Sequence, residues 1–121
     1  MSYKEKAADI QGMMSQGKAL DAFEKYYHEK VVMIECTGQV REGKDVNREF
    51  EKGFFASITE MHGGGVTAIT SDEEAGVSMV ESWMEVTYKD GNRMKMEQIA
   101  RQKWQGDQII EERFYYDTRG M

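Results

Sequence analysis

The feature that most constrains this chain is the strict two-residue alternation running from Val77 to Tyr116. It is broken only at Asp90-Gly91 and Gly106-Asp107. Alternation of that length builds strands with one wet and one dry face, and an Asp-Gly step is a strong hairpin turn. The second half therefore predicts a meander: Val66 to Ser71, Val77 to Tyr88, Arg93 to Trp104 and Gln108 to Tyr116. The first half has helical period instead. Tyr3, Ala7, Ile10 and Met14 form one stripe, ended by Gly17. Leu20, Phe23 and Tyr27 form a second stripe. Val46, Phe50, Phe54 and Ile58 form a third, with Asp45 at its positive N-terminal end. Val31 to Cys36 is β-branched enough for a buried strand, and Gly38 marks a turn. Gly63, Gly64 and Gly65 read as a break before the strands, and His62 with them as a flexible turn. Helices first and a meander afterwards mean an α+β fold, with helices covering one face of a bent antiparallel sheet.

The two faces of the long strands show where chemistry could sit. From Arg93 to Trp104 one face reads Met94, Met96, Gln98, Ala100, Gln102, Trp104, while the other carries the charges. In the last strand Ile110, Glu112, Phe114 and Tyr116 form one face, against Ile109, Glu111, Arg113 and Tyr115. Two amides and a carboxylate thus intrude into apolar stripes. Such groups are costly to bury unless paired, protonated or beside a wet cavity. The competing reading is a set of structural pairs.

Composition excludes several function classes. A chain of 121 residues is the size of one domain, assigned here as residues 1–121. A net charge of −6, with Arg41-Glu42, Arg48-Glu49 and Glu51-Lys52 interleaved as on a solvated surface, argues against a nucleic-acid partner. No apolar run suits a membrane span, and Met1 to Lys6 lead into mixed charge with no secretion signal. A single cysteine, Cys36, precludes an internal disulfide, is read as a buried spacer and suits a reducing cytoplasm. Ten methionines suit an adaptable core or cavity. His28-Glu29 opens like a zinc motif, but Val32 stands where a second histidine is needed. No metal or cofactor is expected.

The order of elements resembles the nuclear transport factor 2-like superfamily, in particular its small SnoaL-like branch, related to polyketide cyclases and ketosteroid isomerases. The segments that carry the resemblance are Val32-Met33-Ile34-Glu35, Gly43-Lys44-Asp45-Val46, Arg93 to Ala100 and Ile109 to Tyr116. It implies a cone: a strongly bent, mostly antiparallel sheet around a pocket closed by N-terminal helices (a cystatin-like arrangement). Glu35 matches the general base of the isomerase branch. That branch's tyrosine donor falls near Ile10 and its second acid near Ala100, neither of which can do the work.

Function read this way is a small-molecule pocket, with a cofactor-independent isomerase or cyclase as the catalytic version. Glu35 and Glu112 are the catalytic candidates. Phe23, Tyr27, Phe54, Met84, Gln98, Gln102, Phe114 and Tyr116 are the ligand-contacting candidates. The expected ligand is a small apolar or carbonyl-containing molecule. The alternative is a non-catalytic binding or scaffold domain. Met79 and Trp83 on the outer sheet face predict a homodimer.

Overall fold

The computed structural model describes residues 1–119. Three helices and six strands follow in the order α1 (Tyr3–Ser15), α2 (Ala19–Tyr26), β1 (Tyr27–Ile34), β2 (Val40–Glu42), α3 (Lys44–Ala56), β3 (Ile58–Asp72), β4 (Val77–Tyr88), β5 (Arg93–Gln105) and β6 (Gln108–Tyr116). The strands form one sheet in the order β2-β1-β6-β5-β4-β3. Only β1 and β6 run parallel. The sheet does not close, and the result is the expected α+β cone.

Helix α1 begins where the sequence can satisfy its free amides. Ser2 and Glu5 form a reciprocal capping box, and the Glu73 carboxylate accepts from the amides of Tyr3 and Lys4. Ala7 and Ile10 are buried as the stripe requires, but Met14 is 41% exposed and Met13 packs on the core instead. Helix α2 stops one residue early. Tyr27, expected on its stripe, is the first residue of β1, and stacks on Phe23 with ring centroids 4.8 Å apart. These rings join Ile10, Tyr26, Val31, Met33, Trp104 and Ile109 in the core that closes one end of the cone.

The third stripe is turned from its expected side. Val46 and Phe50 are exposed, Ile58 belongs to β3, and the buried residues of α3 are Lys44 and Asn47. Polar partners decide this. The Lys44 Nζ donates to the Glu24 carbonyl at 2.9 Å, while Asn47 bonds to Arg41 and the Gly43 carbonyl.

The three glycines do not break the chain. They lie inside β3, where Trp83 of β4 occupies the missing side chains' space: a Cβ at Gly63 or Gly65 would sit 3.1 or 3.0 Å from that ring. A second correction concerns β6. A register shift pairs Trp104 with Ile109 and Lys103 with Glu111, leaving Ile110 as the extra residue. Ile109 is consequently the fully buried one and Ile110 is half-buried. Cys36 is exposed rather than buried, because the chain leaves the sheet after Ile34.

Candidate functional site

Along the inner face of β5, exposure rises in one direction. Gln102 is 1% exposed, Ala100 5%, Gln98 and Met96 are half-buried, and Met94 is 46% exposed. Strand pairing sets Gln102 beside Ser78 and Glu112, Ala100 beside Val80 and Phe114, and Gln98 beside Ser82 and Tyr116. The cone thus has a closed end under α1 and α2 and an open end toward α3. Each end has its own polar group.

The closed end holds a directed chain. The Trp104 indole donates to Ser78 Oγ (2.9 Å), the Ser78 hydroxyl to Gln102 Oε1 (2.8 Å), and Gln102 Nε2 to Glu112 Oε2 (2.8 Å). The Tyr27 hydroxyl completes it by donating to Glu112 Oε1 at 2.6 Å. Burial pushes the Glu112 carboxyl up to about 7, against the pull of its two donors. Burial and the neighbouring carboxylate also hold Tyr27 well above the ordinary phenol range. No described buried side-chain polar atom is left without a partner. All five members of this hydrogen-bonded chain, Trp104, Ser78, Gln102, Glu112 and Tyr27, are buried, and so is Phe23.

The open end is built around Glu35, the residue after β1. Its Oε1 accepts from the Tyr116 hydroxyl at 2.8 Å and its Oε2 from Arg41 Nη2 at 2.7 Å. Arg41 comes from β2, paired with Met33, and is 6% exposed. Its Nε donates to Asn47 at 3.1 Å and its guanidinium lies 3.6 Å from the Phe50 ring centre. Burial, with the Glu35 charge behind it, pushes the Tyr116 phenol up to about 12. Glu51 of α3 joins this group. It is half-buried, and burial raises its pKa above the ordinary glutamate range, Arg41 opposing and Glu35 reinforcing the shift. Phe54, Phe55, Met84, Met96 and Gln98 are half-buried toward the same end, whereas Phe114, also half-buried, packs against the closed-end core.

The structure thus divides the candidates. Glu35, Phe54, Met84, Gln98 and Tyr116 lie where the concave face reaches solvent, whereas Phe23, Tyr27, Gln102 and Glu112 lie in the closed end and Phe114 packs against its core. Arg41, Asn47, Ser78 and Glu51 complete the two groups and were not singled out. In the sequence, Arg41 and Glu51 sit in charge-interleaved segments that predict a solvated surface. The available signal was Arg41 alternating inward in a short strand opposite Met33.

The sequence model of the SnoaL-like domain matches residues 1–116. The chain belongs to the SnoaL-like family. Among solved structures, a candidate SnoaL-like polyketide cyclase from Mesorhizobium loti is 28% identical, with a TM-score of 0.84 over 96% of this chain and 100% of that one. A candidate isomerase from Bacillus subtilis is 15% identical, with a TM-score of 0.80 over 97% and 90%. A candidate SnoaL-like polyketide cyclase from Jannaschia is also 15% identical, with a TM-score of 0.79 over 95% and 85%. The last two likenesses concern the fold alone. No curated protein matches the sequence. Among the described residues no helix is long and apolar enough to cross a membrane, and no three His, Cys, Asp or Glu side chains gather as metal ligands do.

An open depression of about 440 Å³ is lined mainly by convex-face residues, Thr67, Glu81, Trp83, Lys95, Glu97, Ile99 and Tyr115, and is bordered also by Ser82 and Gln98. It is shallow and edged by surface charge, and shares none of the half-buried carboxylates. The concave open end is the better candidate for chemistry.

Proposed function

We propose that this SnoaL-like chain holds a small, mainly apolar, carbonyl-containing molecule in a pocket at the open end of the cone. There it shifts a proton on that molecule without a cofactor, as an isomerase or cyclase does. The observation carrying this reading is the coexistence of half-buried carboxylates with half-buried apolar walls at one end of the sheet. Glu35 and Glu51 supply the first, Phe54, Met84 and Met96 the second. Burial makes the Glu51 carboxylate a stronger base than one in water, as proton abstraction beside a carbonyl requires. Gln98, on the same face, has the donor chemistry a developing enolate oxygen requires. Glu112 supports the site from behind, with both oxygens already filled by Tyr27 and Gln102.

The test combines binding and turnover. A neutral apolar fluorophore, N-phenyl-1-naphthylamine, is expected to bind saturably, one per chain, and to be excluded by Met96→Trp at the open end. A β,γ-unsaturated ketone is expected to isomerise to its conjugated form, and a Glu35→Gln/Glu51→Gln double variant to lose that activity. Binding with no turnover of a series of such ketones would leave the non-catalytic reading. Absence of both would remove the pocket.

Met79, Ile99 and Tyr115 remain 39–45% exposed on the convex face near Trp83. This supports a homodimer formed through that face, which Met79→Glu would break in sedimentation equilibrium.

A further inference from the structure

Resting on that pocket reading, we propose that Glu51, rather than either carboxylate on the sheet, is the base that takes the proton. Glu112 is 3% exposed and has both oxygens hydrogen-bonded. Glu35 also has both oxygens engaged, by Arg41 and Tyr116. A lone pair already accepting a charge-assisted bond is poorly placed to receive a proton from carbon.

Glu51 is different in each respect. It lies one helical turn beyond Asn47, which is wholly buried and bonded to Arg41, so the same side of α3 faces the sheet. No described side chain donates a hydrogen bond to it or pairs with it; the influences it feels are burial and the charges of Arg41 and Glu35. Next along that side come Phe54 and Phe55, whose ring centroids are 5.5 Å apart, giving the carboxylate an apolar flank. Facing it are Arg41 of β2 and Glu35 after β1, with Tyr27 of β1 and Glu112 of β6 also within electrostatic reach. The acid that α2 offers toward α3, Glu24, is bonded to Arg48 and Lys44 instead. Burial raises the basicity of Glu51, and the Arg41 charge opposes that rise.

In the step itself a Glu51 oxygen bonds to the proton beside the carbonyl. The C–H electron pair becomes a C=C bond, and the carbonyl π pair moves onto oxygen. Return of the proton at the far carbon reverses the electron flow and restores the carboxylate, so no oxidant or second reactant is needed. Arg41 and Glu35 are positioning residues here, and the Arg41–Glu35 pair fixes the charge beside which Glu51 titrates.

The probe is 5-nitrobenzisoxazole, whose C3 proton passes to a base while its N–O bond breaks to give a coloured cyanophenolate. Wild-type protein is expected to saturate with it, the rate rising with pH to a plateau through an inflection above the ordinary glutamate range. Glu51→Gln is expected to lose about 100-fold in rate at every pH, the usual worth of a general base, whereas Glu35→Gln, which removes a charge that helps raise Glu51, is expected to move the inflection to lower pH without abolishing it. Glu51→Gln should still bind N-phenyl-1-naphthylamine as tightly as wild type, showing the pocket intact. Full activity in Glu51→Gln with loss in Glu35→Gln would overturn the assignment and leave the pocket reading standing. Fluorophore binding without turnover by wild type would also overturn it. Failure of both binding and turnover would remove the pocket and Glu51's role together.

Discussion

The two ends of the cone use the same residue types differently. At the closed end, Trp104, Ser78, Gln102, Tyr27 and Glu112 satisfy one another under a lid of apolar side chains. At the open end, buried Arg41 holds Glu35, which also bonds Tyr116, but these last two are only half covered, and Glu51 beside them has no hydrogen-bond or ion-pair partner among the described residues. A polar chain whose every member is matched holds a core in one arrangement. A polar group with spare capacity at the edge of an apolar wall is where a ligand can add something. Burial of a carboxylate in an apolar stripe therefore does not by itself mark a site. What distinguishes the two cases is whether its hydrogen bonds are already spoken for.

The sharpest way to break this comparison is Gln102→Leu. It leaves the Ser78 hydroxyl without its acceptor and Glu112 with one donor, both in the dry core. A loss of about 2–4 kcal/mol in urea unfolding is expected, since unsatisfied buried polar groups are among the costliest defects. A loss within about 0.5 kcal/mol would mean that the chain is ornamental, because surface-like substitutions cost no more than that.

Glu112→Gln sharpens it through pH. Because the folded-state pKa of Glu112 is raised to about 7, the folded protein holds this proton more tightly than the unfolded chain does. Its contribution to stability is therefore greatest below the ordinary glutamate pKa. It declines as pH rises and levels off above about 7. Wild type is expected to lose stability relative to Glu112→Gln between those limits in paired thermal melts at several pH values. A constant difference would contradict the buried, titrating carboxyl.

The smallest effect belongs to the open end. Tyr116→Phe removes one bond to Glu35, which keeps Arg41. A half-wet group should lose about 1 kcal/mol or less by urea unfolding, while binding of N-phenyl-1-naphthylamine shifts measurably. A larger stability loss than that from Gln102→Leu would reverse the roles of the two ends.

The architecture was largely legible in the sequence, and the site only partly. Val77–Tyr88 and Gln108–Tyr116 could be read directly because hairpin turns bracket them and alternation fixes their faces. The slip at Ile109 and Ile110 was hidden because a bulge inserts one residue without leaving a compositional trace. Gly63 to Gly65 looked like a break because their reason for being glycine, the Trp83 ring, lies on another strand. Gln98 stands out as an amide where an apolar residue is due, and Glu35 only through the family resemblance of Val32-Met33-Ile34-Glu35. Arg41, Asn47 and Glu51 did not, since charged and amide residues on a helix or a three-residue strand read as solvated. Only the packing of α3 across β1 and β2 brings them inward.

The most direct test of the contrast between the ends is a crystal structure of protein purified from cells, inspected inside the cone. The account predicts density for a small molecule at the open end, against Glu51, Gln98 and Phe54, with the chain from Trp104 to Tyr27 unchanged behind it. Density seated instead between Gln102 and Glu112, or an open end filled by the protein's own Met84, Met96 and Phe54, would contradict it.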